Sequence, residues 1–253
     1  QPLPGESVSA ASPLPTRTGG APPPSTDAGN PCPSTAVQHS FDISAAREPN
    51  GSNASRYVYV PTSKVANVLA GTLHPEPLVM HVRVGDCVTV NFWNQTKTSV
   101  GFHLSGLDSG VASSGVDVGW NPSTTVADGQ RQTYRYYVGD PSLAGGVIGD
   151  LAGLDTAKGG LYGAYTVEPK GSVSTDSKTG AKTDVGSAVD VSVPGGQSYR
   201  DFTLAMADDE RQLGSSFMPY PINAEKPTSD VVKLQAGPAR REFGQRVQLR
   251  SVR

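Results

Sequence analysis

Apolar and polar residues alternate along the stretch 77–96. Val79, His81 and Arg83 interleave with Met80, Val82 and Val84; after Gly85-Asp86, Val88, Val90 and Phe92 interleave with Thr89, Asn91 and Trp93. A period of two on both sides of a Gly-Asp turn predicts a pair of β-strands joined as a hairpin. The same period recurs in Val37–Ile43, Arg56–Val60, Gln132–Val138, Leu161–Pro169 and Tyr199–Met206, and shorter runs occur at Val231–Leu234 and Val247–Val252. Ser99–Leu107 forms a further extended run. Ser63–Gly71 fits either a short helical turn or an extended loop. Between the runs lie Gly- and Ser-rich loops, notably 110–122, which carries Trp120, and 140–160. Six or more short strands at roughly ten-residue spacing predict an all-β antiparallel sandwich or barrel.

Composition divides the chain further. Residues 1–33 are Pro, Ser, Gly and Thr with almost no bulky apolar side chain. Such an arm buries too little to offset its ordering entropy, so any order in it requires a surface to lie on. Residues 34–171 carry the predicted sandwich, 172–197 read as a linker or surface excursion, and 198–253 open a second unit with too few strand signals to complete a sandwich. The 29 glycines and 21 prolines among 253 residues suit turn-rich β architecture and argue against a helical bundle.

Charge is nearly balanced, 21 Lys and Arg against 23 Asp and Glu, which gives no footprint for nucleic acid or an anionic membrane. No apolar run approaches the roughly 20 residues of a membrane-spanning helix. The first residue is Gln1, which predicts that a leader has been removed and that the protein is secreted or extracytoplasmic. Cys32 and Cys87 are the two cysteines. In an oxidising compartment they fit a single structural disulfide, the alternative being two free thiols. That bridge would tie the end of the N-terminal arm to the central strands.

The ordered series Glu76-Pro-Leu-Val, Val84-Gly-Asp-Cys-Val-Thr-Val, Asn91-Phe-Trp-Asn, Phe102-His-Leu-Ser-Gly-Leu107, Gly119-Trp-Asn-Pro through Gln130, Thr133-Tyr-Arg-Tyr-Tyr137 and Gly160-Leu-Tyr-Gly-Ala-Tyr-Thr-Val-Glu-Pro-Lys-Gly171 resembles the first cupredoxin domain of bacterial multicopper oxidases. The resemblance covers residues 35–171. Ser198-Tyr-Arg-Asp-Phe-Thr-Leu204 is similar to the opening strand of that family's second domain. It implies a cupredoxin-like Greek-key sandwich, an incomplete second cupredoxin-like domain, and copper.

The copper ligands implied are largely missing. The family takes two His-x-His pairs from this domain. The first falls on His103 and Ser105, and a hydroxyl does not replace an imidazole for copper. The second is expected near 146–151, where no His occurs. The mononuclear site needs a Cys with two His, yet Cys87 lies in the Gly-Asp-Cys turn, where the family uses it structurally. His103 therefore reads as the relic of a ligand pair, or as a ligand completed by another chain. His81 reads as a surface or interface residue; His39 and His74 carry no metal pattern.

Other candidate chemistry has a plainer reading beside it. Asp208, Asp209 and Glu210 form either a hard-cation site or a solvated strand end, and Asp108, Asp117, Asp150 and Asp155 match no known cation loop. Asn50, Asn53 and Asn94 open glycosylation acceptors in form. Trp93, Trp120, Tyr134, Tyr136, Tyr137, Tyr162 and Tyr165 read as sandwich core and cross-strand pairs rather than an electron path. The functional expectation is a secreted multicopper-oxidase-like subunit, copper-free by its own residues, serving as scaffold or partner for another chain or a second copy. The rival is one piece of a working oxidase of phenols or metal ions whose coppers other domains or chains hold.

Overall fold

Val37, at the start of the first strand, donates its amide to the Gly85 carbonyl 3.3 Å away. That contact starts a parallel ladder running from Val37↔Asp86 to Ala46↔Gln95. The computed structural model describes residues 29–49, 56–73, 75–117 and 122–205, together with the backbone of 246–252. Strands β1 (Val37–Arg47), β2 (Tyr57–Pro61), β4 (Asp86–Gln95), β6 (Asp108–Ser109) and β7 (Arg131–Tyr137) form one sheet in the order β2-β1-β4-β7-β6. Strands β3 (Leu78–Arg83), β5 (His103–Leu104), β8 (Gly145–Gly149) and β9 (Tyr162–Glu168) form a second, ordered β3-β9-β8-β5. The expected all-β sandwich is present. Each sheet is mixed, because β1 runs parallel to β4 and β3 parallel to β9. Parallel neighbours need a crossover, and the chain between β1 and β4 supplies one through β2, helix α1 (Val65–Leu69) and β3.

The core lies between these two sheets. Phe41, Ile43, Val88, Val90, Phe92, Tyr134 and Tyr136 enter it from the first, and Leu78, Met80, Val82, Leu104, Ile148, Tyr165 and Val167 from the second. At its centre Tyr59, Phe92, Phe102 and Tyr134 make edge and tilted ring contacts, with centroids 5.2 to 6.3 Å apart. The aromatic run of the sequence is thus core at Tyr134, Tyr136 and Tyr165. Trp93 instead lies half-buried on the outside, beneath the Arg131 guanidinium at 4.1 Å.

Two expectations need correction. The strands flanking Gly85 are consecutive but do not pair as a hairpin: β3 belongs to one sheet and β4 to the other. Their core-facing residues oppose each other across the sandwich, so the chain turns a corner at Gly85, whose φ is +89°. The second long loop, 140–160, contains β8 and helix α2 (Leu154–Lys158). Strand β8 is Gly145-Gly-Val-Ile-Gly149, too poor in apolar residues to declare itself.

The segment read as a linker also carries strands. β10 (Val173–Asp176) and β11 (Ala188–Ser192) join β12 (Tyr199–Ala205) and β13 (Arg246–Val252) in an antiparallel sheet ordered β10-β11-β12-β13. On the way from β10 to β11 the chain lies along the open edge of β3. The His81 amide donates to the Asp184 carbonyl at 2.8 Å, and the Gly186 amide to the Val79 carbonyl at 3.0 Å. An otherwise unpaired strand edge is thereby covered. Strand β3 is buried along its whole length and on both faces: Leu78, Met80 and Val82 in the sandwich, Val79, His81 and Arg83 beneath the third sheet. The run Val231–Leu234, the arm 1–28, His74 and Trp120 lie outside the described residues.

Candidate functional site

The position implied for copper is built by β5, β8 and the described loop residues 105–117 and 122–126. Four buried tyrosines hold this region through their phenols. Tyr59 donates to the Gly101 carbonyl at 2.7 Å, Tyr134 to Thr124 at 2.7 Å, Tyr136 to Phe102 at 2.9 Å and Tyr165 to Ser105 at 2.5 Å. Burial pushes the Tyr59, Tyr134 and Tyr136 hydroxyls well above the usual phenol range, so they remain donors. Gly101 and Gly115 let the loop close: a Cβ on Gly101 would lie 2.0 Å from the Gly115 carbonyl oxygen, and Gly115 has φ +69°.

His103 sits half-buried on β5, and its Nδ1 donates to the Ser114 carbonyl at 3.1 Å. Burial lowers its pKa, partly offset by that bond, which keeps the ring neutral with Nε2 as its lone donor atom toward a metal. The residue opposite on β8 is Gly149, which has no side chain. The neighbouring carboxylate, Asp150, is engaged elsewhere: Oδ1 accepts from the Gly101 and Ala152 amides, each at 2.8 Å, and Oδ2 from the Thr156 hydroxyl. One imidazole with no second nitrogen or thiolate is not a donor set that retains copper. The residues present therefore do not fit the metal. Cys87 is joined to Cys32 in a disulfide, so neither sulfur is available.

The denser polar chemistry lies between the sandwich and the third sheet, and sequence reading missed it. His39 on β1 stands between two carboxylates, Nδ1 2.9 Å from Asp86 Oδ2 and Nε2 3.1 Å from Asp184 Oδ2. Arg83 on β3 binds Asp184 through its guanidinium, and the Ser172 carbonyl through Nε at 3.1 Å. Burial works against a charge on His39, and Arg83 repels it, but the hydrogen bonds to Asp184 and Asp86 prevail and raise its pKa above 6.5. Burial alone would raise Asp184; its bonds to His39 and Arg83 instead hold it at about 2. The result is a charged clasp over the 172–186 segment.

Beside the clasp lies a second group. His81 on β3, Glu168 on β9 and Asp201 on β12 are all buried, and one donor atom of each lies within 4.8 Å of the others. His81 Nε2 reaches the Gly186 carbonyl at 2.8 Å, and Nδ1 lies 2.7 Å from the Thr166 hydroxyl and 3.5 Å from Glu168 Oε1. Thr166 also reaches Glu168 Oε1 at 3.1 Å, and the Tyr199 phenol donates to Oε2. The expected surface or interface place of His81 is corrected in part: it is 1% exposed, at an interface within the chain. The signal for this group was in the alternation, since His81, Thr166 and Glu168 occupy the strand phase opposite to the core residues. What the sequence lacked was the parallel register His81↔Thr166 and Arg83↔Glu168 that brings β3 and β9 together.

Other candidates resolve simply. Asn94 is buried, its amide donating to Thr98 and Val126 carbonyls at 2.6 Å each, so it is no glycan acceptor. Asp108, Asp117 and Asp155 are exposed and fall into none of the described groups. Asp208, Asp209, Glu210, Asn50 and Asn53 lie outside the described residues.

No protein-family model and no curated protein matches the sequence. Among solved structures the chain is similar to multicopper oxidases. With the enzyme of Pseudomonas thermotolerans it shares 18% identity over 54% of this chain and 31% of that one, with a TM-score of 0.42. The blue copper oxidase of Nitrosomonas europaea matches at 20% identity over 53% of this chain and 39% of that one, TM-score 0.39. The Campylobacter jejuni metallo-oxidase matches at 18% over 53% and 26%, TM-score 0.35. The match thus spans well under half the length of each of these oxidases. The similar structures are multicopper oxidases, and the all-β sandwich itself is read from the strand order and register above.

Proposed function

We propose that this chain is a secreted, multicopper-oxidase-like subunit whose cupredoxin-like domain does not bind copper and acts as a scaffold or partner. The observation that carries this reading is the donor set on β5 and β8: His103 faces Gly149, Ser105 replaces the paired imidazole, and the Asp150 oxygens are held by backbone amides and Thr156. The disulfide supports an oxidising compartment. A partner role is supported by the third sheet, where Phe202 and Leu204 of β12 are 42% and 51% exposed. Copper analysis and visible absorption, on the isolated chain and on whatever co-purifies with it, test the reading. It predicts less than about a tenth of an equivalent of copper and no copper–thiolate band on the isolated chain. A full equivalent there would overturn it.

The rival, a piece of a functioning oxidase with coppers held elsewhere, draws on His103 itself. Its Nδ1 is fixed by a backbone carbonyl and its Nε2 left as acceptor, an arrangement common to metal-binding imidazoles. Copper present in a complex and lost on substituting His103→Gln would favour the rival.

A further inference from the structure

We infer that His81, Glu168 and Asp201 form a divalent-cation site, best suited to Zn²⁺, which fastens the third sheet to the sandwich. Three strands from two layers meet there, and each contributes one buried ligating side chain. His81 Nε2 is turned to the Gly186 carbonyl, which only accepts, so Nδ1 is the ring nitrogen that faces Glu168. The Thr166 hydroxyl lies within reach of both Nδ1 and Glu168 Oε1.

Burial adds the charge argument. Glu168 is fully buried, with His81 Nδ1 3.5 Å from its Oε1 and Arg83 as its register partner on β3. A carboxylate withdrawn from water requires a counter-charge. A second buried carboxylate, Asp201, stands in the same group, within reach of the same ion. An imidazole whose other nitrogen donates to a backbone carbonyl is the usual posture of a zinc-binding histidine. One nitrogen and two carboxylate oxygens suit zinc, with a water or a second carboxylate oxygen completing four. Nδ1 and Glu168 Oε1, 3.5 Å apart, already have the spacing of two neighbouring ligands around an ion at about 2.0–2.1 Å. The Asp201 carboxylate lies within 4.8 Å of the other two donor atoms, close enough for a χ adjustment to bring it onto the ion.

The consequence is mechanical. His81 and Glu168 belong to the sandwich and Asp201 to the third sheet, so the ion adds a link between two layers that the covered edge of β3, the Arg83–Asp184 clasp and the Tyr199–Glu168 hydrogen bond also join. The site is independent of any copper chemistry on β5, which is more than one strand away in the sheet.

The test is a zinc titration of the full chain after chelator treatment, followed by calorimetry and thermal unfolding. The expected result is one equivalent of Zn²⁺ bound and a raised unfolding midpoint. Asp201→Asn should weaken binding at least about tenfold, while His103→Gln leaves it unchanged. Anomalous scattering at the zinc edge should place the ion between β3, β9 and β12. Absence of binding to the native chain, with an unmoved midpoint, would mean that a proton on His81 supplies the positive charge and would overturn the proposal. Binding that His103→Gln abolishes and Asp201→Asn spares would overturn it as well. Should Asp201→Asn fail to fold, the native titration and the scattering peak decide alone.

Discussion

His39 shows what a single residue contributes to holding the layers. Its ring donates to two carboxylates at once, one on the sandwich and one on the 172–186 segment. Because its folded pKa is raised above 6.5, the stabilisation is fully present below that value and is lost as pH rises through the folded pKa. The stability lost on His39→Gln, read from denaturant unfolding, should therefore shrink as pH rises from about 5 to about 9, while His103, whose pKa burial lowers, acts in the opposite direction in both proteins. Asp86, Asp184 and Arg83 are the charged groups facing the ring, and Asp184, held at about 2, stays ionised across that window. Asp184 acts in the opposite direction. Its pKa of about 2 against 3.8 contributes about 2 kcal/mol, present above about pH 4 and lost as pH falls toward 2. Asp184→Asn should cost about 1–3 kcal/mol at neutral pH, measured by the same unfolding curves. None of this was legible in the sequence, where His39 and Asp184 are 145 residues apart in ordinary strand and loop contexts. Cys32 and Cys87 were legible because there were only two to join.

At the scale of elements, long alternating runs were read well and short ones poorly. β1, β4, β7 and β9 fall where the period of two places them, since each buries a face against the core; β12 falls there too, but its apolar Phe202 and Leu204 face outward. β8 and β10 were missed because Gly, Ser, Thr and Asp dominate them and their pairing is set by neighbours, not by their own propensity; β11, with Val189 and Val191 buried, carries the alternation but is only five residues long. The corner at Gly85 was read as a hairpin because alternation gives the phase of a strand but not the sheet it joins. The region around His103 depends on close backbone approach. Gly101→Ala forces a Cβ against the Gly115 carbonyl and should destabilise by about 2 kcal/mol or more, read as a lower thermal midpoint. The disulfide closes a loop of 55 residues, and Cys32→Ser with Cys87→Ser should cost about 2–5 kcal/mol.

The described residues form a sandwich with a third sheet laid along one face, and their densest buried polar chemistry lies at that seam and not at the position the family resemblance marks for copper. The sequence marks His103 by resemblance, with Ser105 where a second His would stand; the strand pairing adds that Gly149 lies opposite and that Asp150 is engaged elsewhere. Burying Arg83, His81, Glu168 and Asp201 between layers makes the third sheet part of this fold more than a detached appendage. The outward Phe202 and Leu204 are the apolar features that a second chain or second copy would cover. Native mass spectrometry with metal content determined on the same sample tests the account most directly. It predicts this chain bound to another polypeptide, a second copy included, and carrying no copper of its own. A monomer carrying stoichiometric copper would contradict it.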